Sequence, residues 1–278
     1  MKITIQEINK LRQLTSAGLL DCKNALIEAK GNFDEAIDII RKKGQKISLS
    51  RADRVAKEGR VFIKTSPSMD SSVMICLSSE TDFVSQNEMF VALGQAIVDI
   101  ALENKPNTLE DLLKLKIEHE LSVHDKIIEM IGKTGEKIEL INYEKVHGQV
   151  VITYVHTGHK LGVLLALQGI NSDNQKALDD ARFIAMQIAA MNPIAINRED
   201  IPKEILDKEF EIATAQCASL EKPKEVVEKI INSRVNTFIK ENTLEEQAFV
   251  KETSMTVRQY INYIGKGIKV LDFKRVSI

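Results

Sequence analysis

Val61–Val84 reads VFIKTSPSMDSSVMICLSSETDFV, and its pattern decides the class of fold. Apolar residues alternate at Val61 and Ile63 and again at Val73, Ile75 and Leu77, on either side of the turn-rich Ser66-Pro67-Ser68-Met69-Asp70. A period of two marks strands with one face toward a core, and the turn residues between them make the pair a hairpin. The second strand runs into Ser79-Glu80-Thr81-Asp82-Phe83-Val84, after which Asn87-Glu88 opens an amphipathic helix through Phe90, Val91, Ile97 and Ile100. Thr81 to Val84 therefore stand at a strand-to-helix junction. Phe83 is conspicuous there, because the chain is only 5% aromatic and contains no tryptophan. Periodicity alone favours a core plug beneath the following helix.

Upstream of this hairpin the period is helical. Thr4 and Glu7 have capping-box spacing, and Ile5, Ile8 and Leu11 recur on one helical face. A second helix runs from Leu19 to Ala29 before Gly31, and Asn32 with Glu35 starts a third, whose stripe of Phe33, Ala36, Ile37 and Ile40 leads to Gly44. Three short helices predict a small bundle over residues 1–45, and the polar stretch 46–60 reads as a linker. The basic cluster Arg41, Lys42 and Lys43 suits a helix end.

Downstream, Ser122 and Asp125 frame another helix start, leading to Ile127, Ile128, Met130 and Ile131 before Gly132 and Gly135. Strand patterns follow at Ile138–Ile141, Val150–Tyr154 and Val163–Leu167, then a helix over Asp179–Met191. Strands followed by a helix thus occur twice, which predicts two related sheet-plus-helix halves. Pro202–Leu220 and Lys224–Lys240 are helical patterns joined by Glu221-Lys222-Pro223, as in an antiparallel helical hairpin. A short helix capped by Thr256 with Gln259 and a strand over Ile268–Val276 complete an α+β arrangement. The expected units are a core N-subdomain over 61–140, a core C-subdomain over 141–200 that returns over 242–278, and the hairpin over 201–241.

Composition narrows the function. Charged residues make up 28% of 278, yet the formal net charge is −2, so no basic excess exists to hold a polyanion and direct nucleic-acid binding is not expected. Cys22, Cys76 and Cys217 are far apart and read as small apolar residues of a reducing cytosol. A membrane span needs roughly 20 apolar residues in a row, and the best run, Leu161–Leu167, is far shorter. The charged MKITIQEINK lacks an apolar signal core, so neither membrane nor export is expected and the cytoplasm is the expected location.

No motif promises covalent chemistry. His147, His156 and His159 lie close in sequence, with His119 and His124 upstream, but no pair has metal-site spacing on a helix, so neither metal nor cofactor is expected. Gly132-Lys133-Thr134-Gly135 lacks the upstream glycine of a phosphate loop, and neither a nucleophile elbow nor a dinucleotide fingerprint is present.

The stretch LRQLTSAGLLDCKNAL, Leu11–Leu26, resembles the N-terminal signature of the elongation factor Ts family, and SSETDFVSQ, Ser78–Gln86, is similar to its second signature. The resemblance extends through Ala56–Gly59, Ile131–Glu136, His156–Val163 and Lys222–Ile230. Ser16 stands where the first signature usually has glycine and Gln86 where a basic residue is usual, and the C-terminal segment is shorter than in long members.

The resemblance implies a ubiquitin-associated-like three-helix bundle, two α+β core subdomains and an inserted antiparallel coiled-coil hairpin, which its amphipathic faces, packed on each other, make peripheral to exchange. It implies a guanine-nucleotide exchange factor for EF-Tu that performs no covalent chemistry, with a homodimer or a two-plus-two assembly with EF-Tu as possible states. Thr81, Asp82, Phe83 and Val84 would displace Mg²⁺ from EF-Tu, while Arg12, Leu19, Leu20, Lys23, Ile131, Gly132 and His156 would bind it. From the residues themselves, Leu19 and Leu20 fit bundle core equally well, and His156 equally fits a turn histidine satisfied by backbone. The alternatives from other classes are a noncatalytic adaptor that binds helices or nascent chains through the bundle, and a hydrolase with a diffuse histidine site.

Overall fold

The computed structural model describes residues 3–15, 17–118, 121–218 and 223–278. Ser16, His119, the Ser219-Leu220 end of the expected first hairpin helix and Glu221-Lys222 of the expected link lie outside these residues.

Helices α1 (Ile5–Thr15), α2 (Leu19–Glu28) and α3 (Phe33–Ser50) pack around Leu11, Cys22, Leu26 and Ala36. The first capping box forms as expected, Thr4 N–H donating to the Glu7 carboxylate at 2.7 Å and Glu7 N–H to Thr4 Oγ1 at 3.2 Å. Asn32 Oδ1 likewise accepts from the Asp34 and Glu35 amides.

The expectation that the third helix ends at Gly44, followed by a polar linker, is corrected. α3 continues to Ser50, so the first part of the expected linker is helix, and β1 begins at Glu58. A mid-helix glycine costs about 1 kcal/mol relative to alanine, and a tertiary contact offsets it. Gly44 crosses α7 (Val123–Thr134) at Gly132, where a Cβ on Gly44 would stand 3.1 Å from the Ile128 carbonyl oxygen and one on Gly132 would stand 3.2 Å from the Gly44 Cα. Beyond the crossing Ile47 packs on the core behind α7.

The body of the molecule holds two antiparallel three-stranded sheets. β1 (Glu58–Thr65), β2 (Ser71–Ser79) and β5 (Ile138–His147) form the first, in the order β1-β2-β5. Between β2 and β5 the chain makes α4 (Asp82–Gln86), α5 (Glu88–Asn104), α6 (Leu109–Lys114), the short ribbon β3 (Lys116–Glu118) with β4 (Leu121–Ser122), and α7. β6 (Val150–Val155), β7 (Leu161–Gln168) and β10 (Lys269–Ser277) form the second sheet, in the order β10-β7-β6. Its helices are α8 (Gln175–Met191) and α11 (Val257–Ile264), the latter opened by the expected Thr256–Gln259 capping box and preceded by the ribbon β8 (Ala248–Phe249) with β9 (Glu252–Thr256).

Strand alternation distributes β2 between two cores. Val73, Ile75 and Leu77 pack with Phe90 and Ile97 of α5 and Ile127 and Ile131 of α7. Met74 and Cys76 face the other way, against Leu164 and Ala166 of β7 and Val276 of β10. Leu165 and Leu167, on the far face of β7, meet Ile184 and Ile188 of α8 and Ile261 of α11. The layers are helix, sheet, sheet, helix, a mixed α+β arrangement.

Helices α9 (Lys203–Cys217) and α10 (Lys224–Asn242) run antiparallel, with Ala213 and Cys217 packed on Ile231 and, near the base, Leu206 beside Ile239. All three cysteines are buried, as expected of small apolar residues.

Gly44→Leu forces α3 away from α7. We expect a loss of about 1–3 kcal/mol, the usual cost of overpacking, seen as a lowered melting temperature with faster amide exchange in both helices. An unchanged melt would mean that the bundle is not seated on the core.

Candidate functional site

β2 ends at Ser79, and the chain turns at Thr81 into α4, a helix of 5 residues. So short a helix does not hold itself in place, and side chains brace its start. Ser79 Oγ donates to the Thr81 carbonyl at 2.8 Å and Ser85 Oγ to the Asp82 carbonyl at 2.9 Å. Val84 packs against the first core and Ser85 is buried. Thr81 donates from both its N–H and its hydroxyl to Glu136, at 3.0 and 2.8 Å.

Phe83 points outward from this braced turn and is 83% exposed, so the core-plug reading that periodicity favours is corrected. The helical period fails here because α4 is a separate turn whose inward positions are Val84 and Ser85. Asp82, also exposed, lies at the edge of an open cleft of about 610 Å³ shared with Arg60, His159 and Lys160. Lys160 reaches Glu58 at 2.5 Å, and the His159 carbonyl accepts from Val61 N–H at 2.7 Å, which fastens the β6–β7 turn to β1. Partial burial and the adjacent Arg60 charge hold the His159 imidazole below its usual range, favouring the neutral ring.

His156 does not face this cleft. Its ring shares a 2.8 Å hydrogen bond with the Tyr154 hydroxyl and borders an apolar hollow of about 300 Å³ lined by Phe183, Met186 and Phe249. The partner is thus a side chain rather than backbone, and the histidine at the Asp82 cleft is His159.

On the bundle, Leu19 and Leu20 are 54% and 66% exposed, while Cys22, Ala25 and Leu26 carry the core, so these two leucines are surface residues. Lys23 follows at i+4 and i+3 on the same face, and the exposed Ile27 extends that row by another turn. Arg12, on α1, is exposed as well. Ile131 and Gly132 differ from the expectation of a partner-facing surface. Ile131 is 3% exposed within the first core, and Gly132 is occupied by the α3 crossing. The Gly-Lys-Thr stretch is the last turn of α7, with Thr134 Oγ1 donating back to the Met130 carbonyl at 2.9 Å.

Sequence reading missed Glu80 and Glu136 as partners of the junction. Their only local signal is two acids lying next to Thr81 and after a helix-ending glycine. Among the described residues no three His, Cys, Asp or Glu side chains gather where they could hold a metal ion, and no described helix is long and apolar enough to cross a membrane. The site offers surface, charge and an aromatic projection.

Residues 80–278 match the family model described as Elongation factor TS. The sequence is 46% identical over 278 residues to Elongation factor Ts of Amoebophilus asiaticus, spanning 100% of this chain and 99% of that protein. It is 40% identical over 278 residues to Elongation factor Ts of Porphyromonas gingivalis, with 100% and 99% covered. With Elongation factor Ts of Cytophaga hutchinsonii it shares 39% identity over 276 residues, covering 99% of each.

Removing an exposed ring empties no core. Phe83→Ala is expected to change stability by less than about 0.5 kcal/mol, as for an ordinary surface site, against roughly 3–5 kcal/mol for a buried aromatic. A denaturant melt separates the two.

Proposed function

The chain belongs to the elongation factor Ts family, and we propose that it acts as the guanine-nucleotide exchange factor of EF-Tu, displacing Mg²⁺ and releasing GDP so that GTP can bind. The observation that carries this reading is the exposed Phe83 at the head of a braced turn, with Asp82 beside it. The finer architecture we infer with it is a ubiquitin-associated-like bundle for α1–α3 and a coiled-coil arm for α9 and α10.

Exchange needs no bond to be made or broken in this chain. A partner that binds nucleotide-free EF-Tu more tightly than the GDP-bound form must weaken GDP binding by the same factor. Phe83 supplies apolar surface that gains by burial only when packed elements of the GTPase part to admit it. Asp82 brings negative charge toward the phosphate and Mg²⁺, lowering the affinity of the site for both anion and nucleotide-bound metal complex. Leu19, Leu20, Lys23 and Arg12 provide a separate surface on the bundle, suited to a helix of the GTPase and contributing affinity rather than displacement.

Release of fluorescent GDP from EF-Tu tests the displacement step. Phe83→Ala is expected to lose about 2 kcal/mol or more, as for truncation of an aromatic anchor, which slows release at least about thirtyfold. Asp82→Asn is expected to be milder, with a defect that shrinks when Mg²⁺ is chelated, since that step is then already complete. Wild-type release by Phe83→Ala removes the wedge reading.

The bundle calls for a different measurement. Because α3 crosses Gly44 without a break, deleting residues 1–44 would cut a helix seated on the core and confuse docking with folding. The double substitution Leu19→Ala with Leu20→Ala leaves the buried face intact. It is expected to raise the half-saturating concentration for EF-Tu while the maximal release rate stays near that of the unaltered chain; an unchanged half-saturation contradicts the docking role.

A further inference from the structure

We propose that Glu136 is a positioning residue for exchange: together with Glu80 it clasps the strand-to-helix junction so that Asp82 and Phe83 are held in one pose before EF-Tu arrives. The proposal rests on the exchange reading above and adds the device that fixes its projecting pair.

The clasp is reciprocal. Glu136, in the turn between α7 and β5, accepts from the Thr81 N–H at 3.0 Å and the Thr81 hydroxyl at 2.8 Å. Glu80, the neighbour of Thr81, accepts from the N–H of Lys137, the neighbour of Glu136, at 2.7 Å. Each of two sequence-adjacent pairs thus gives one carboxylate to the other and receives one in return. Arg51, just beyond α3, adds a third point of attachment at 3.1 Å from Glu80, and Lys137 Nζ donates to the Ala52 carbonyl at 3.0 Å. Gly135, at φ +70 with its N–H on the Ile131 carbonyl at 2.8 Å, ends α7 and delivers Glu136 to this place.

The use of Thr81 shows what the clasp is for. Thr81 occupies the N-cap position of α4, where a threonine hydroxyl ordinarily accepts from an amide of the first helical turn. Here it makes no such bond and donates to Glu136 instead. The junction forgoes local helix stabilisation and gains a tether to the turn that leads into the neighbouring strand β5. Phe83 is the second residue of this short helix and is itself mostly free of packing, so its direction is inherited from the braced turn, whose start Thr81 anchors. An aromatic projection that is pre-organised loses less conformational freedom on insertion, and a displacement of about 1 Å can cost on the order of a hundredfold in a positioned step.

Positioning and charge make different demands on residue 136. Glutamine keeps the shape and both hydrogen bonds, its Oε1 accepting from Thr81 N–H while its Nε2 donates to the Thr81 hydroxyl oxygen. It lacks the negative charge. Alanine lacks both.

The chain has no tryptophan, so Phe83→Trp makes a single-indole reporter at the projecting position. In that background Glu136→Ala is expected to enlarge the nanosecond motion of the indole in time-resolved anisotropy, and Glu136→Gln to restore the rigid signal. In the chain with Phe83 intact, Glu136→Ala is expected to lower the maximal rate of fluorescent-GDP release by about tenfold or more with little change in half-saturating EF-Tu, and Glu136→Gln to recover it. Thr81→Val repeats the test from the other partner, removing the hydroxyl while retaining its shape and leaving the backbone bond. Unchanged indole motion or unchanged maximal release in Glu136→Ala overturns the proposal, as does a Glu136→Gln protein as slow as Glu136→Ala, which would assign the effect to charge. A chain with Phe83 and Glu136 intact that fails to speed GDP release overturns the exchange reading instead, and the anisotropy alone then decides whether Glu136 holds the junction.

Discussion

Burial of β2 on both faces governs where everything else in the molecule can stand. All nine of its residues, Ser71 to Ser79, are buried, with alternate side chains committed to two separate cores. A slip of one residue would exchange the two sets and place Met74 and Cys76 against the helices and Val73, Ile75 and Leu77 between the sheets. The register is therefore held from both sides, and with it the point at which the chain leaves the sheet. Glu80 to Phe83 inherit that fixed origin. Leaving a phenylalanine exposed forgoes about 1.5–3 kcal/mol of burial, and the surrounding structure supports this without moving because the strand behind it is the most enclosed in the fold.

The close approach of the sheets has its own local requirement. A Cβ on Gly162 of β7 would stand 2.6 Å from Val61 Cγ1 and 2.7 Å from Met74 Sδ. On the opposite face, one on Gly94 of α5 would stand 2.2 Å from the Phe62 ring. Side chains are absent at these two positions so that β1 and β2 can be gripped between a sheet and a helix. The aromatic and aliphatic groups on the neighbouring strands then fill the space a larger residue would have taken, which is how dense packing is kept where layers converge.

Local signals were readable in the sequence and long-range ones were not. The capping boxes at Thr4, Ser122 and Thr256 each involve residues three apart, and each forms. The hairpin of β1 with β2 follows from the spacing of apolar residues around turn residues, and the packing of α9 on α10 from their apolar stripes. Gly44 was misread as a helix end because glycine commonly ends helices, whereas the partner that keeps it inside one, Gly132, is 88 residues away in sequence. The clasp of Glu80 and Glu136 is hidden for the same reason. α4, α6 and the β3–β4 ribbon are too short to establish a period. Exposure is the hardest property to read from an apolar residue: Leu19, Leu20 and Phe83 lie outside while Ile131 lies inside, and periodicity alone does not separate them. Resemblance to a family pointed to Phe83 where pattern pointed away from it.

The continuous α3 makes the bundle and the junction parts of one mechanical element. From its fulcrum at Gly44, the helix extends back 11 residues to Phe33 and the chain forward 7 residues to Arg51, arms of about 16 and 10 Å at the rise of an α-helix. For a stiff helix, rocking at the bundle end carries Arg51 the opposite way through about two-thirds of the distance. A displacement at the bundle end of α3 would thereby arrive, reversed and reduced, at the Glu80 carboxylate on which Arg51 rests.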